Sequence, residues 1–212
     1  MLAGRLVRTE DRVSPTRQVW RRRVAKYSRW LHIYVSMISC VVVLFFAATG
    51  VTLNHTEWFA GVERTTQATG TLDRGWIAGT ASVDELRIAE YLRSTHNLRG
   101  AVTDFRADEQ QISLSFKGPG YSADVFADRA AGTYELTETR LGAVAIANDL
   151  HKGRDSGGVW KAVIDVSAIL LALISLTGLV LLYFIHKHRV AGLVLLGIGG
   201  LVTWGVYATF VP

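Results

Sequence analysis

Apolar residues run without a single charge from Trp30 to Leu53, as WLHIYVSMISCVVVLFFAATGVTL, long enough to cross a bilayer as a helix. A second run, Val159 to Ile185, is interrupted only by Lys161 and Asp165 near its start. A third, residues 190–211, carries no charge at all. Lys187-His188-Arg189 between the last two is too short for anything but a tight turn, so those helices are predicted to form a hairpin. Between the first two runs the pattern changes. Ser82 with Glu85 three residues later is a capping box, and Val83, Leu86, Ile88, Ala89 and Leu92 recur on one helical face until Asn97 and Gly100 stop the run. Short alternating runs follow at Ala101–Arg106, Gln111–Phe116, Ser122–Ala127 and Gly132–Leu136, with Lys117-Gly118-Pro119-Gly120 as a hairpin signal. This segment predicts one helix packed on a three- or four-stranded antiparallel sheet. Residues 56–80, rich in Thr, Gly and Ala, are assigned no strand, and Trp58 and Phe59 suit an interfacial belt.

The predicted fold class is therefore membrane α-helical, three transmembrane helices with an inserted extracytoplasmic α+β domain. The layout is a basic tail at 1–29, helices at 30–54, 159–186 and 190–211, and the inserted domain at 55–158. About 60 ordered residues would be marginal alone, so that domain is expected to lean on the helices or a partner.

Composition supports a bilayer environment: half of the 212 residues are hydrophobic and the mean hydropathy is +0.24. Charge orients the chain. Residues 1–30 hold nine Lys/Arg against two Asp/Glu, whereas residues 54–158 hold 11 against 15. The cluster Arg21, Arg22, Arg23, Lys26 and Arg29 and the turn residues Lys187 and Arg189 belong on the cytoplasmic side, which sends the long loop and Pro212 outward. The net charge of +5 thus reflects topology, implies no nucleic-acid partner, and leaves the Arg-rich tail able to touch anionic lipid. The basic start is too long for a cleavable signal, so the first helix reads as an uncleaved anchor. Cys40, the one cysteine, excludes an internal disulfide and is expected to be a small buried apolar residue.

Histidines bracket the first two apolar runs. His32 starts the first and His55 follows it; His151 precedes the second, with His186 and His188 after it. Histidines at matched depths on transmembrane helices can hold haem b, so four residues are candidate ligands of one or two haem irons: His32, His55, His151 and His186. Depth pairs His55 with His151 at the outer boundary, and His32 with His186 or His188 at the inner one. His32 and His55 are separated by about 34 Å of helix, so two haems so held would lie near opposite faces. His151 must sit on a turn or short helix, with Asp155-Ser156-Gly157-Gly158 as the break. Thr49-Gly50 and Thr177-Gly178 remove bulk, either for helix contact or to admit a porphyrin face. Asp165 is expected to pair with Lys161, and Lys152 and Arg154 are solvated loop charges or partners of haem propionates or an anionic substrate. His96 is expected to be a solvated surface residue. The loop shows no catalytic constellation.

The order Trp30-Leu31-His32, Thr49-Gly50-Val51-Thr52-Leu53-Asn54-His55, Asp149-Leu150-His151-Lys152-Gly153 and Leu176-Thr177-Gly178-Leu179 resembles the PepSY-associated transmembrane helix family over roughly residues 28–190. The helix and meander between them resemble a PepSY domain. The resemblance implies a bacterial inner-membrane protein. Larger relatives serve iron and siderophore uptake, some of them resembling haem-b ferric-siderophore reductases, and short members resemble companions of periplasmic flavin-attachment proteins. This chain has three spans where the larger pattern has four or more.

Two functions follow as expectations. One is a haem-b electron-transfer protein, a ferric-reductase-like oxidoreductase passing electrons to ferric iron, a ferric siderophore or a flavin-bearing partner in the periplasm. The other is a non-redox membrane-anchored module that binds or restrains a partner, its histidines merely interfacial. A homo-oligomer or a larger membrane complex is compatible with both.

Overall fold

Continuous apolar sequence forms helix because lipid offers no hydrogen-bond partner to an unpaired peptide group. The computed structural model describes residues 15–59, 61–77, 83–185 and 187–212. It contains three helices long and apolar enough to cross a membrane: α1 (Pro15–Asn54), α5 (Gly157–Phe184) and α6 (Arg189–Phe210). Helix α1 begins ahead of the apolar run, so the exposed cations Arg22, Arg23, Lys26 and Arg29 ride on the same helix as the span. No residue of α6 is buried, and Leu195, Leu201 and Trp204 are each about two-thirds exposed. Apolar surface on that scale is stable against lipid, not water.

The described residues divide into two compact units, one within residues 15–40 and 168–212 and one within residues 41–167. Within the first, α5 and α6 are joined by a short turn in which Arg189 lies 5.2 Å above the Tyr183 ring. His188 is the exposed residue preceding α6, with no side-chain cap bond. Cys40 is exposed on α1, contrary to the burial expected of it: the buried residues of that stretch are Val35 and Ser39, and position 40 turns off their stripe.

The second unit holds a five-stranded antiparallel sheet in the order β1-β5-β4-β3-β2, formed by β1 (Arg64–Thr71), β2 (Ala101–Ala107), β3 (Gln111–Gly118), β4 (Tyr121–Asp128) and β5 (Thr133–Arg140). The strand missing from the sequence reading is β1. Its sequence RTTQATGT has no apolar alternation, and it exists because β5 offers a full ladder from Arg64↔Arg140 to Thr71↔Thr133. One sheet face is apolar. Register stacks Leu114, Val125 and Leu136 in one row and Ile112, Ala127 and Tyr134 in the next, with Phe116 opposite Ala123. Ala127 and Ala123 stand opposite the large side chains Ile112, Tyr134 and Phe116, which lets the layer interdigitate.

Beyond the single-turn helix α2 (Arg74–Ile77), helix α3 (Glu85–His96) covers this face with Ile88, Ala89 and Leu92, each no more than 5% exposed. Its cap is Asp84, whose carboxylate accepts from the Arg87 N–H; Ser82 lies outside the described residues. Leu86, expected on the core face, is 71% exposed because the stripe runs through 88, 89 and 92. Asn97 ends the helix in the left-handed region. The turn between β2 and β3 is held by Asp108, which accepts the N–H groups of Gln110 and Gln111; those bonds hold its carboxyl below the usual carboxylate range.

Helix α4 (Ala143–Lys152) follows the sheet directly and is anchored to it. Asp149 accepts the Gly120 N–H of the β3–β4 turn at 2.9 Å, and the Leu141 N–H donates to Gly120 O. Gly120 has φ +64°, and a Cβ there would stand 2.4 Å from Ile146 Cγ1. Gly120→Ala is therefore expected to lose about 1–2 kcal/mol to backbone strain alone, before the clash is relieved. Hydrogen exchange should show α4 amides opening faster in this variant than in wild type, while β3 and β4 amides away from the turn stay protected.

Candidate functional site

The candidate site consists of two imidazoles, each hydrogen-bonded by a threonine in the other apolar run. In the first unit, His32 on α1 places Nδ1 3.0 Å from Thr177 Oγ1 on α5. Gly178 follows that threonine, and a Cβ on it would meet His32 Cε1 at 3.4 Å. In the second unit, His151 on α4 places Nδ1 2.5 Å from Thr49 Oγ1 on α1. Gly50 follows, with His151 Cε1 4.0 Å from its Cβ position. The Phe46 ring meets the His151 ring edge-on at 4.8 Å. Both threonines are buried and both histidines half-buried.

The sequence contains Leu-His followed by Thr-Gly twice: Leu31-His32 with Thr49-Gly50, then Leu150-His151 with Thr177-Gly178. The hydrogen bonds run between the two copies, not within them: the first histidine takes the second threonine and the second histidine the first. The sequence reading singled out both Thr-Gly pairs for their small size. Their hydroxyls, as partners of histidine, went unread, although the repeated order was the available signal.

Local structure aims His151. The Gly153 N–H caps α4 in the left-handed region, and the Trp160 indole N–H donates to Leu150 O at 2.8 Å. Thr52 donates to Asn148 Oδ1 at 2.6 Å, tying α1 to α4 beside the ring. His151 thus lies on a short helix ahead of the second span, as its distance from His186 required.

The remaining candidates are placed differently. His55 stacks on Trp58 at 4.1 Å with the rings nearly parallel, and its Nδ1 is 3.1 Å from Glu57 Oε1. Among the described residues no hydrogen bond or ring contact joins His55 to His151. His186 lies outside the described residues. His96 is not a solvated surface residue: it is half-buried, with Nε2 2.7 Å from Tyr134 Oη, because the end of α3 packs against β5. Burial pushes the Tyr134 phenol above its ordinary value. Lys161 and Asp165 are both exposed, and among the described residues neither has an ion-pair partner, so the expected i,i+4 pair does not form. Lys152 is exposed, and Arg154 lies 3.9 Å from Asp149.

The sheet domain carries a groove of about 740 Å³ lined by Thr71, Asp108, Gln110, Phe126, Asp128 and Glu135. Those residues include no nucleophile paired with a base. Among the described residues no three His, Cys, Asp or Glu side chains converge on a metal position. What the histidines offer is single nitrogen donors: Nε2 of His32 and of His151 has no hydrogen-bond partner among the described residues.

A family model described as PepSY_TM-like matches residues 26–212. No curated protein and no solved structure matches the chain.

Proposed function

The chain belongs to the PepSY_TM-like family, and on that premise we propose that it is an inner-membrane haem-b electron-transfer protein. The observation that carries this reading is the pair of threonine-held imidazoles whose Nε2 atoms have no hydrogen-bond partner among the described residues. Metal-ligating histidines are typically held through their other ring nitrogen in this way. The donor chemistry fits haem iron: an imidazole nitrogen in a half-buried, largely apolar setting, with glycine beside each ring.

His32 and His151 are the ligands proposed first. His55 and His186 would be the further ligands, and His55 has its own Nδ1 engaged by Glu57. Haem b, when bound, supplies reversible one-electron transfer at its iron. The chain contributes the ligands, excludes water with the apolar helices around them, and presents the sheet domain beside His151 through the Asp149–Gly120 bond. The basic start of α1 faces the cytoplasm in this reading and the sheet domain the periplasm. The acceptor is then ferric iron, a ferric siderophore or a flavin-bearing partner there, reached without an acid–base cluster.

The test is a dithionite-reduced-minus-oxidised spectrum of the purified protein from haem-replete cells, with haem quantified per chain. A b-type difference band is expected, and the ratio counts the sites. A colourless protein would sink the redox reading and leave the membrane-anchored binding module.

A further inference from the structure

We propose that Thr49 and Thr177 are positioning residues that lock His151 and His32 into one tautomer, with the proton on Nδ1 and the lone pair on Nε2. A threonine hydroxyl has one proton to give. Thr49 Oγ1 lies 2.6 Å from the Phe45 carbonyl one turn back on α1, and Thr177 Oγ1 lies 2.7 Å from the Leu173 carbonyl on α5. A carbonyl only accepts, so each hydroxyl proton is spent on its own helix, the usual back-bond of threonine in a helix. In the contact with histidine the hydroxyl oxygen can then only accept. The donor is Nδ1–H, at 2.5 Å in one couple and 3.0 Å in the other. A neutral imidazole whose Nδ1 carries the proton bears its lone pair on Nε2.

Three features support a built device. The same bond set occurs twice on different local sequence, Phe45 in one couple and Leu173 in the other. Each threonine is buried, at 6% and 8% exposure, so water does not compete for its oxygen. Each is followed by a glycine, which leaves the ring edge beside Cε1 uncrowded. Serine would keep the bond but not the rotamer stiffness of a β-branched side chain. Valine keeps the shape and removes the acceptor.

The reading of what Nε2 binds rests on the haem proposal; the tautomer does not, and the test separates them. The full-length chain, selectively labelled with ¹⁵N-histidine and purified without added haem, is examined by NMR. Wild type is expected to show a protonated Nδ1 and an unprotonated Nε2 at positions 32 and 151, told apart by assignment from His55, whose Nδ1 faces Glu57 Oε1. Thr49→Val is expected to abolish that pattern at His151 only, Thr177→Val at His32 only, and the Thr→Ser variants to retain it. His96, bonded through Nε2 to Tyr134, serves as the internal standard for a folded sheet domain. In haem-loaded protein the same Val substitutions are expected to raise the midpoint potential, because a ligand whose Nδ1–H loses its acceptor donates less electron density to ferric iron. A wild-type spectrum with the proton on Nε2, or Val variants that leave both tautomers and both potentials unchanged, would overturn the proposal. Correct tautomers in a protein that never takes up haem would uphold it and refute the haem reading alone.

Discussion

His32→Ala and His151→Ala are each expected to reduce haem retained per chain, and the double variant to abolish the reduced-minus-oxidised band. The direction follows from the geometry: among the described residues each ring is the only imidazole bonded to its threonine. The two substitutions act in different units of the chain, so their losses should add. His188→Ala is the matched control. That side chain is exposed and caps nothing, so the variant should keep the full band. A double variant with an undiminished band would show that the ligands lie elsewhere. Thermal unfolding of the sheet domain, followed in parallel, distinguishes ligand loss from collapse.

Phe116→Ala is expected to cost about 3–5 kcal/mol, the usual range for emptying a buried aromatic position. Phe116 has no exposed surface and sits where β3 meets α3, with the Arg93 guanidinium 5.4 Å from its ring centroid. Opposite it in the register stand Val102 and Ala123, both too small to fill the hole. A domain of this size has a total stability of roughly the same order, so the variant should populate a locally unfolded state. Hydrogen exchange of β3 and β4 amides would report it as lost protection. Retained protection would mean that the strands draw their stability from the helices instead of from this core. The contrast with Gly120→Ala is informative: one empties the core while the other loosens only α4.

Much of this architecture was legible because membranes and helices impose periodic demands on sequence. The run from Trp30 to Leu53 had to be helical in lipid. Likewise, Asn97 stopped α3 because a left-handed residue ends a helix well, and Gly118-Pro119-Gly120 had to turn. Edge strand β1 was not legible, because a strand of Thr, Gln, Ala and Gly is specified by its neighbour's hydrogen bonds and not by its own side chains. The buried side of α3 was legible except at Leu86, because periodicity admits both Leu86 and Ile88 to one face and only packing on the sheet chooses Ile88. His96 was misjudged for the same reason: its partner Tyr134 is 38 residues away.

The candidate site divides in the same way. By itself the sequence determined that histidines bracket two apolar helices and that Leu-His and Thr-Gly recur in that order, because these are local choices of residue type and spacing. It sorted the histidines by depth, which is a one-dimensional coordinate. Only the tertiary structure decided that His32 bonds Thr177 and His151 bonds Thr49, 145 and 102 residues apart. A hydrogen bond depends on distance and direction within a few tenths of an ångström, and those are set by how helices pack and which way each side chain faces.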